Sequence, residues 1–368
     1  MLRPIRLVPR IASPALEFIE IKSLPEEAYR PFWSVMIPTY NRPELLAKTL
    51  KSVLMQAPGP REMQIGVLDN CSTIGDIEGI VREVGQGRVE YYRHEKNIHW
   101  AMNFNACLQR ANGYWVHVLH DDDMVIEGFY DAYRAVIEAH PDCSAVVGSA
   151  VLMDENDRWY GVTDLLPHNN GLLESIRATL LTTNPFVFPA VALRREALEK
   201  VGGFALGVIP FDWEMWVRLM MNGVTFTQVE RPYTLYRVSK IAASQKYQAE
   251  RRTITQFLSG SAAVASYIAD PLEREQLVAR HHQVFSLYCA DIARRFKSQR
   301  QLHNALFYAV WSFRFEPALS RFYLIVQVSL LVIVQPVLRW YRRGVAHLPK
   351  CIRSIRRAVS LGLGLDRP

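Results

Sequence analysis

Cysteine is scarce and unorganised in this chain. The five present, Cys71, Cys107, Cys143, Cys289 and Cys351, form no CxxC pair and no framework spacing. That excludes a disulfide scaffold, gives no support for a zinc site and fits a reducing compartment. Internal repeats and low-complexity tracts are missing too. Arg3, Arg6 and Arg10 open the chain, but Pro4, Pro9, Pro14 and Glu17 interrupt any apolar stretch behind them. No cleavable signal peptide is expected. What remains is ordinary globular composition, 49% hydrophobic and 21% charged over 368 residues. This length allows one large domain with additions, or two smaller ones, and excludes wholesale disorder.

Acidic residues are nearly absent from the C-terminal end. From Arg339 onward stand eight basic residues (Arg339, Arg342, Arg343, Lys350, Arg353, Arg356, Arg357 and Arg367) against Asp366 alone, so this segment carries the whole net charge of +7. A domain built to bind nucleic acid would spread basic side chains over a folded face. A terminal appendage instead favours an anionic membrane surface, and no nucleic-acid partner is expected. Just before it, residues 322–338 are nearly uncharged, with Gln327, Ser329, Gln335 and Pro336 inside. A full transmembrane helix needs about twenty apolar residues. The stretch therefore reads as a buried helix, an interfacial or re-entrant segment, or a span. Trp340, Tyr341 and the following arginines suit a headgroup boundary, and membrane attachment is the favoured reading.

The body of the chain alternates between two periodicities. Residues 1–31 read as a proline-punctuated leader. Trp33-Ser34-Val35-Met36-Ile37, stopped by Pro38, suits a buried strand. A helix is expected over 43–56, with Pro43 in its first turn. Strands follow at 63–68, 89–92 and 114–119, with a helix at 100–109. A further helix is expected at 212–221 and a closing strand at 232–238. From 247 to 313 the composition turns helical, bracketed by Pro271 and Pro317. The expected fold class is α/β, a mainly parallel sheet flanked by helices with a C-terminal helical extension. Four segments follow: a leader at 1–31, an α/β domain at 32–245, a helical region at 246–317, and an apolar segment with basic tail at 318–368.

Ligands of such sheets bind beyond the carboxyl ends of the strands. Three polar clusters fall at those ends: Thr39-Tyr40-Asn41, Asp69-Asn70 and Asp121-Asp122-Asp123. Three adjacent carboxylates repel one another, and burying one unpaired is costly. They either form a solvated acidic turn, head a helix beginning near Val125, or hold a divalent cation such as Mg²⁺ or Mn²⁺. Asp69-Asn70 offers an acceptor and a donor to a nucleobase edge, or simply closes a turn, with Ser72, Thr73 and Asp76 capping the next element. Tyr40 can lie along a base or ribose, and Asn41 can cap the helix after it.

Together these segments carry a resemblance. Val35-Met36-Ile37-Pro38-Thr39-Tyr40-Asn41-Arg42, Leu68-Asp69-Asn70-Cys71-Ser72-Thr73, and Gly113-Tyr114 through Asp121-Asp122-Asp123 resemble the successive signatures of family 2 glycosyltransferases. Val201-Gly202-Gly203-Phe204 with Asp212-Trp213-Glu214-Met215-Trp216-Val217-Arg218 resembles the acceptor-side motif, and Tyr236-Arg237 the closing strand. The match spans roughly residues 33–240 in order. It implies a GT-A fold and transfer of a hexosyl or deoxyhexosyl group from a nucleotide-diphosphate sugar to a glycan or polyprenyl-linked acceptor, with Mg²⁺ or Mn²⁺. The implied nucleotide-sugar site comprises Pro38, Thr39, Tyr40, Asn41, Asp69, Asn70, Asn97, Asn103 and Asp121. Asn70 would face the base. Asp122 would be the principal metal ligand with Asp123 supporting it, and Asp212 the general base, with Glu214 as its alternative.

Three positions depart from the pattern: Asn70 replaces a frequent second Asp, His120 a frequent acid, and Ser239 a frequent His. His120 is either a metal or phosphate neighbour or a structural histidine. Trp213 and Trp216 either stack on acceptor sugars or pack in the core, and Arg218 supports packing or phosphates. His281-His282 has no partner at metal spacing. No Gln-x-x-Arg-Trp motif of the processive synthases occurs, which favours a single-addition enzyme. The expected location is cytoplasmic, peripheral on the inner face of the plasma membrane. A nucleotidyltransferase would need a glycine-rich phosphate loop that Pro38-Thr39-Tyr40-Asn41 does not provide. A non-catalytic scaffold that retains the fold would have no need of the acids.

Overall fold

A run of consecutive apolar residues needs cover on both faces, and residues 33–37 receive it. The structure, a computed structural model, describes residue 8 and residues 16–168, 171–239 and 243–345. Much of the expected leader and the basic tail beyond 345 lie outside the described residues. After the short β1 (Glu17–Phe18) comes β2 (Trp33–Thr39), buried at all seven positions. Helix α1 (Pro43–Leu54) starts on its proline, carries Glu44 in the first turn and buries Leu46, Thr49, Leu50 and Val53. It stops two residues before the expected end. β3 (Met63–Asp69) is again wholly buried. Asp76 caps α2 (Ile77–Gly85) by accepting from Gly79 N at 2.8 Å, as its position suggested. β4 (Glu90–Arg93), α3 (Trp100–Arg110) and β5 (Trp115–Val118) complete this half.

The expected helix from Val125 is not there. Met124–Val125 form β6, and α4 (Phe129–Ala139) begins only after Gly128, whose φ of 87° turns the chain. Val125 is drawn into the core with Phe129 and Tyr133, and that burial overrides any helical start at the acids. β7 (Ala145–Met153), β8 (Trp159–Val162), α5 (Ile176–Thr182), β9 (Val191–Arg194), α6 (Arg195–Val201) and β10 (Ala205–Leu206) lead to α7 (Phe211–Met221). The closing strand, β11 (Phe226–Arg237), is longer than its apolar pattern suggested. Its register shifts between Val229 and Thr234, around Pro232, which has no N–H to give to a ladder.

The main sheet runs β4-β3-β2-β5-β9-β7-β11-β6, with β8 beside β7. β4, β3, β2 and β5 are mutually parallel, as are β7 and β11, while β9 lies antiparallel between the two groups. Thr39 stands level with Asp69, and Leu119 N donates to Met36 O at 3.0 Å. The three polar clusters thus leave the sheet at one edge.

A buried amide fixes the segment leading to α7. Asn105, on α3, donates to Phe204 O at 3.0 Å and accepts from Phe204 N at 2.7 Å. A Cβ on Gly203 would stand 2.1 Å from its side-chain oxygen. Asn105→Ala strands both Phe204 groups in the interior. It is expected to cost about 1–3 kcal/mol, seen as a lower urea midpoint at unchanged m-value.

Beyond β11 the chain is helical: α8 (Ala243–Ala249), α9 (Thr253–Ser266), α10 (Pro271–Ser298), α11 (Leu302–Phe315) and α12 (Leu319–Val345). Pro271 opens α10, and Pro317 separates α11 from α12. Two compact units divide within α10, one ending at His281 and the other beginning at His282. In the second unit, Ser286 and Ser312 exchange hydrogen bonds between α10 and α11 at 2.9 and 2.8 Å. Small buried residues, among them Ala290, Ala293, Ala305 and Ala309, line these helices. Among the described residues no helix is long and apolar enough to cross a membrane; the side chains from 333 onward, which include the end of the apolar stretch 322–338, lie outside that description.

Candidate active site

Parallel strands leave their carboxyl ends, and the loops that follow, side by side; hydrogen bonds then join the loops. Thr39 Oγ1 donates to Asp121 Oδ2 at 2.7 Å, and Tyr40 N reaches the same oxygen at 3.3 Å. Arg42 spans two acids, with Nη1 3.1 Å from Asp121 Oδ1 and 2.6 Å from Asp122 Oδ2. Asp123 is tied on both oxygens: Oδ1 accepts from Arg237 N at 2.7 Å and Oδ2 lies 3.0 Å from His120 Nδ1. The Arg237 side chain also donates to Asp122 O at 2.9 Å and to Asp154 O at 3.0 Å. Asp122 is half-buried, and Arg42 is its carboxylate's hydrogen-bond partner among the described residues.

The electrostatics of the triplet are those of a site with surplus negative charge. Burial pushes the Asp121 carboxyl up to about 6 against the pull of Arg42, with the Asp122 charge adding to the rise. Burial raises Asp123 as well, opposed by its bond to His120. For His120, burial alone would lower the pKa, but the hydrogen bond to Asp123 and the three carboxylate charges raise it on balance. The local cations therefore compensate the acids only in part. His120, Asp122 and Asp123 can each present one ligand atom, all within 4.8 Å of one another. One imidazole and two carboxylates form a donor set that suits a divalent cation, and the nitrogen suits Mn²⁺ better than Mg²⁺. His120 thus joins the expected pair, Asp122 and Asp123, as a third candidate ligand.

The second loop is internally saturated. Asp69 is fully buried and accepts from Ser72 N at 2.8 Å, Tyr91 Oη at 2.8 Å and Arg93 Nη1 at 2.6 Å. Asn70, expected to face a base, spends its amide on the Ile98 backbone, giving to O at 2.7 Å and taking from N at 2.8 Å. Asn97 donates to Asn70 O at 3.0 Å, and Asn103 is buried between Leu68 O and His94. Asn41 does not cap α1, whose N-cap residue is Arg42 with no side-chain cap. Its amide oxygen instead accepts from Thr73 N and Ile74 N. These residues build the loop walls, while Tyr40 stays exposed beside them.

Asp212 comes from the helix that follows β10. It lies in the first turn of α7 but is not the cap, since Pro210 holds that position. Asn184 donates to Asp212 Oδ2 at 2.7 Å. Burial raises the Asp212 carboxyl above the ordinary range, opposed by the Asn184 bond and by backbone N–H groups, and the His120 charge also acts on it. An aromatic cluster holds the two in relation. Phe211 packs on Trp100 and Phe104 with ring centroids at 4.6 and 5.4 Å, and Phe188 stacks on His120 at 4.7 Å.

Several alternatives fall here. Glu214 is fully buried, bonded to Arg218 at 2.9 Å and to Tyr267, and cannot serve as the base. Arg218 binds the carbonyls of Val201, Gly202 and Gly203, a packing role. Trp213 and Trp216 are both buried and present no face to a sugar. His281 lies inside, 2.7 Å from Ser261 Oγ and 2.6 Å from Leu181 O. The sequence reading gave Arg42 and Arg237 no task, although both stand in its motifs. Asn184 carried no signal at all.

Residues 34–202 match the family model described as Glycosyl transferase family 2. An uncharacterized glycosyltransferase of Methanocaldococcus jannaschii is 23% identical over 215 residues, covering 58% of this chain and 72% of that protein. A PGL/p-HBAD biosynthesis glycosyltransferase of Mycobacterium tuberculosis is 26% identical over 203 residues, covering 54% and 73%. Among solved structures, a mannosyltransferase from Pyrobaculum calidifontis in complex with GDP-Man and Mn²⁺ superposes with a TM-score of 0.51. The two share 18% identity, over 86% of this chain and 85% of that one, a likeness of fold. Sheet order, matched segment and relatives agree: residues 34–202 form a family 2 glycosyltransferase domain, and the chain has a GT-A fold.

Proposed function

We propose that this glycosyltransferase moves a sugar, with inversion, from a nucleotide-diphosphate sugar to a hydroxyl of a glycan or polyprenyl-linked acceptor, using Mn²⁺ or Mg²⁺. The observation that supports it is the group formed by His120, Asp122 and Asp123, with Asp212 next to Phe211, whose ring packs on the same Phe104 that packs on His120. The GDP-Man and Mn²⁺ in the fold relative agree with this reading. A bound cation supplies Lewis-acid stabilisation of the departing diphosphate. Asp121, fixed by Thr39 and Tyr40, orients the nucleotide side. Arg42 exchanges its carboxylate partners for phosphate oxygens. Asp212 accepts the proton of the acceptor hydroxyl as that oxygen bonds to the anomeric carbon and the carbon–diphosphate oxygen bond breaks. In-line attack from the face opposite the leaving group inverts the anomeric centre. The protein works at the cytoplasmic face of the plasma membrane, held there by its C-terminal segment.

The test is a panel of nucleotide sugars scored for nucleoside diphosphate release with Mn²⁺ or Mg²⁺. At least one donor is expected to turn over, with activity lost on chelation and regained with the cation. Release of pyrophosphate, or turnover indifferent to chelation, would overturn the proposal.

A further inference from the structure

Among the described side chains of helix α12, the buried and the exposed apolar residues lie on opposite faces. Leu324 and Val328 are buried. Leu319, Phe322, Tyr323, Val326 and Leu330 instead face solvent, Leu319 with 88%, Tyr323 with 62% and Leu330 with 56% of its surface exposed. The spacings of three, one, three and four residues place all five on one side of a helix with a 3.6-residue period. An apolar stripe of this kind left in water is unfavourable, and in a soluble protein it marks a contact surface.

The charge around the stripe identifies what covers it. No Asp or Glu occurs between Glu316 and Asp366, whereas Arg321 and eight basic residues beyond 338 do. With Leu324 and Val328 packed inside the protein, one side of the described part of the helix is taken and the stripe is the side open to lipid. An apolar face on a helix without acids, continued by a basic segment, matches a surface that is apolar within and negative outside, with Phe and Tyr rings at the boundary between them. We infer that the stripe Leu319, Phe322, Tyr323, Val326 and Leu330 is a membrane-docking face, and that α12 lies in the plane of an anionic phospholipid surface. This deepens, and rests on, the membrane attachment proposed above, by assigning it to one helix face. The basic tail raises the local concentration at the lipid, and the stripe supplies the insertion.

The test uses the full chain and sedimentation with vesicles of phosphatidylcholine alone or with phosphatidylglycerol. The wild type is expected to partition onto the anionic vesicles and to leave neutral ones largely free. The variant Leu319→Ser, Tyr323→Ser, Leu330→Ser should lower anionic partition by about tenfold or more, with its melting curve unchanged because all three side chains are exposed. Unchanged partition in that variant, with binding lost on removing 346–368, sinks the stripe but leaves membrane attachment standing. Failure of the wild type to bind either vesicle sinks both. Self-association of the wild type in sedimentation velocity, abolished in the variant, would show a second copy on the stripe and likewise overturn the inference.

Discussion

Asp212→Asn is expected to lower kcat for sugar transfer by about 10³-fold while leaving donor affinity and folding intact. The change is nearly isosteric, and the new amide oxygen can still accept from Asn184. Folding should not suffer for a further reason. Burial raises this carboxyl above its unfolded value, so its ionisation opposes folding at every pH above the unfolded pKa. Asn removes that opposition, and the melting temperature at neutral pH should hold or rise. In the wild type, the base is active only when ionised, so the acid limb of the rate profile should fall above the ordinary carboxylate range. Asn184→Ala removes a hydrogen bond that favours the ionised form and should move that limb to higher pH. Single-turnover measurement of donor consumption, beside donor binding by calorimetry, separates the two effects. A variant with wild-type kcat would remove Asp212 from the chemistry.

The second large effect is expected at Asp122. Asp121 and Asp123 are buried, Asp121 held by three partners and Asp123 by one on each oxygen. Changing either disturbs the loop itself. Asp122 is half-buried and meets Arg42, so Asp122→Asn tests metal binding with the least structural damage. Loss of stabilisation at the diphosphate is worth several kcal/mol. At about 1.4 kcal/mol per decade, a drop in kcat/KM of about 10³-fold follows. Mn²⁺ titration in the presence of nucleoside diphosphate should show weakened or lost binding. If Asp122→Asn binds Mn²⁺ and turns over as the wild type does, the metal reading of the triplet fails.

How much of this was legible beforehand varies from one element to the next. β2 and β3 were readable because consecutive apolar residues between breakers admit few other fates. α1 was readable because Pro43 and the apolar spacing after it agree. The helix expected at Val125 was not there, since the competing demand on Val125 came from Phe129 and Tyr133 in the core and not from its neighbours in sequence. β11 was underestimated at its polar start, Thr227 and Gln228, which pairing with β7 buries.

The same division runs through the site. The sequence by itself determined the α/β alternation, the polar clusters at strand ends, the acids Asp121, Asp122, Asp123 and Asp212, and the basic tail from Arg339 onward. These are properties of residue type and local spacing, and local patterns survive folding. Only the tertiary structure decided how each polar side chain is used. It committed Asn70 to Ile98 and Asn41 to the 72–74 loop, buried Glu214 on Arg218, drew Arg42 across two carboxylates and set Asn184 on Asp212. Every one of these pairs except Glu214 and Arg218 joins residues at least 28 positions apart. A polar group's role is fixed by its partner, and a partner distant in the chain leaves no mark on the local sequence.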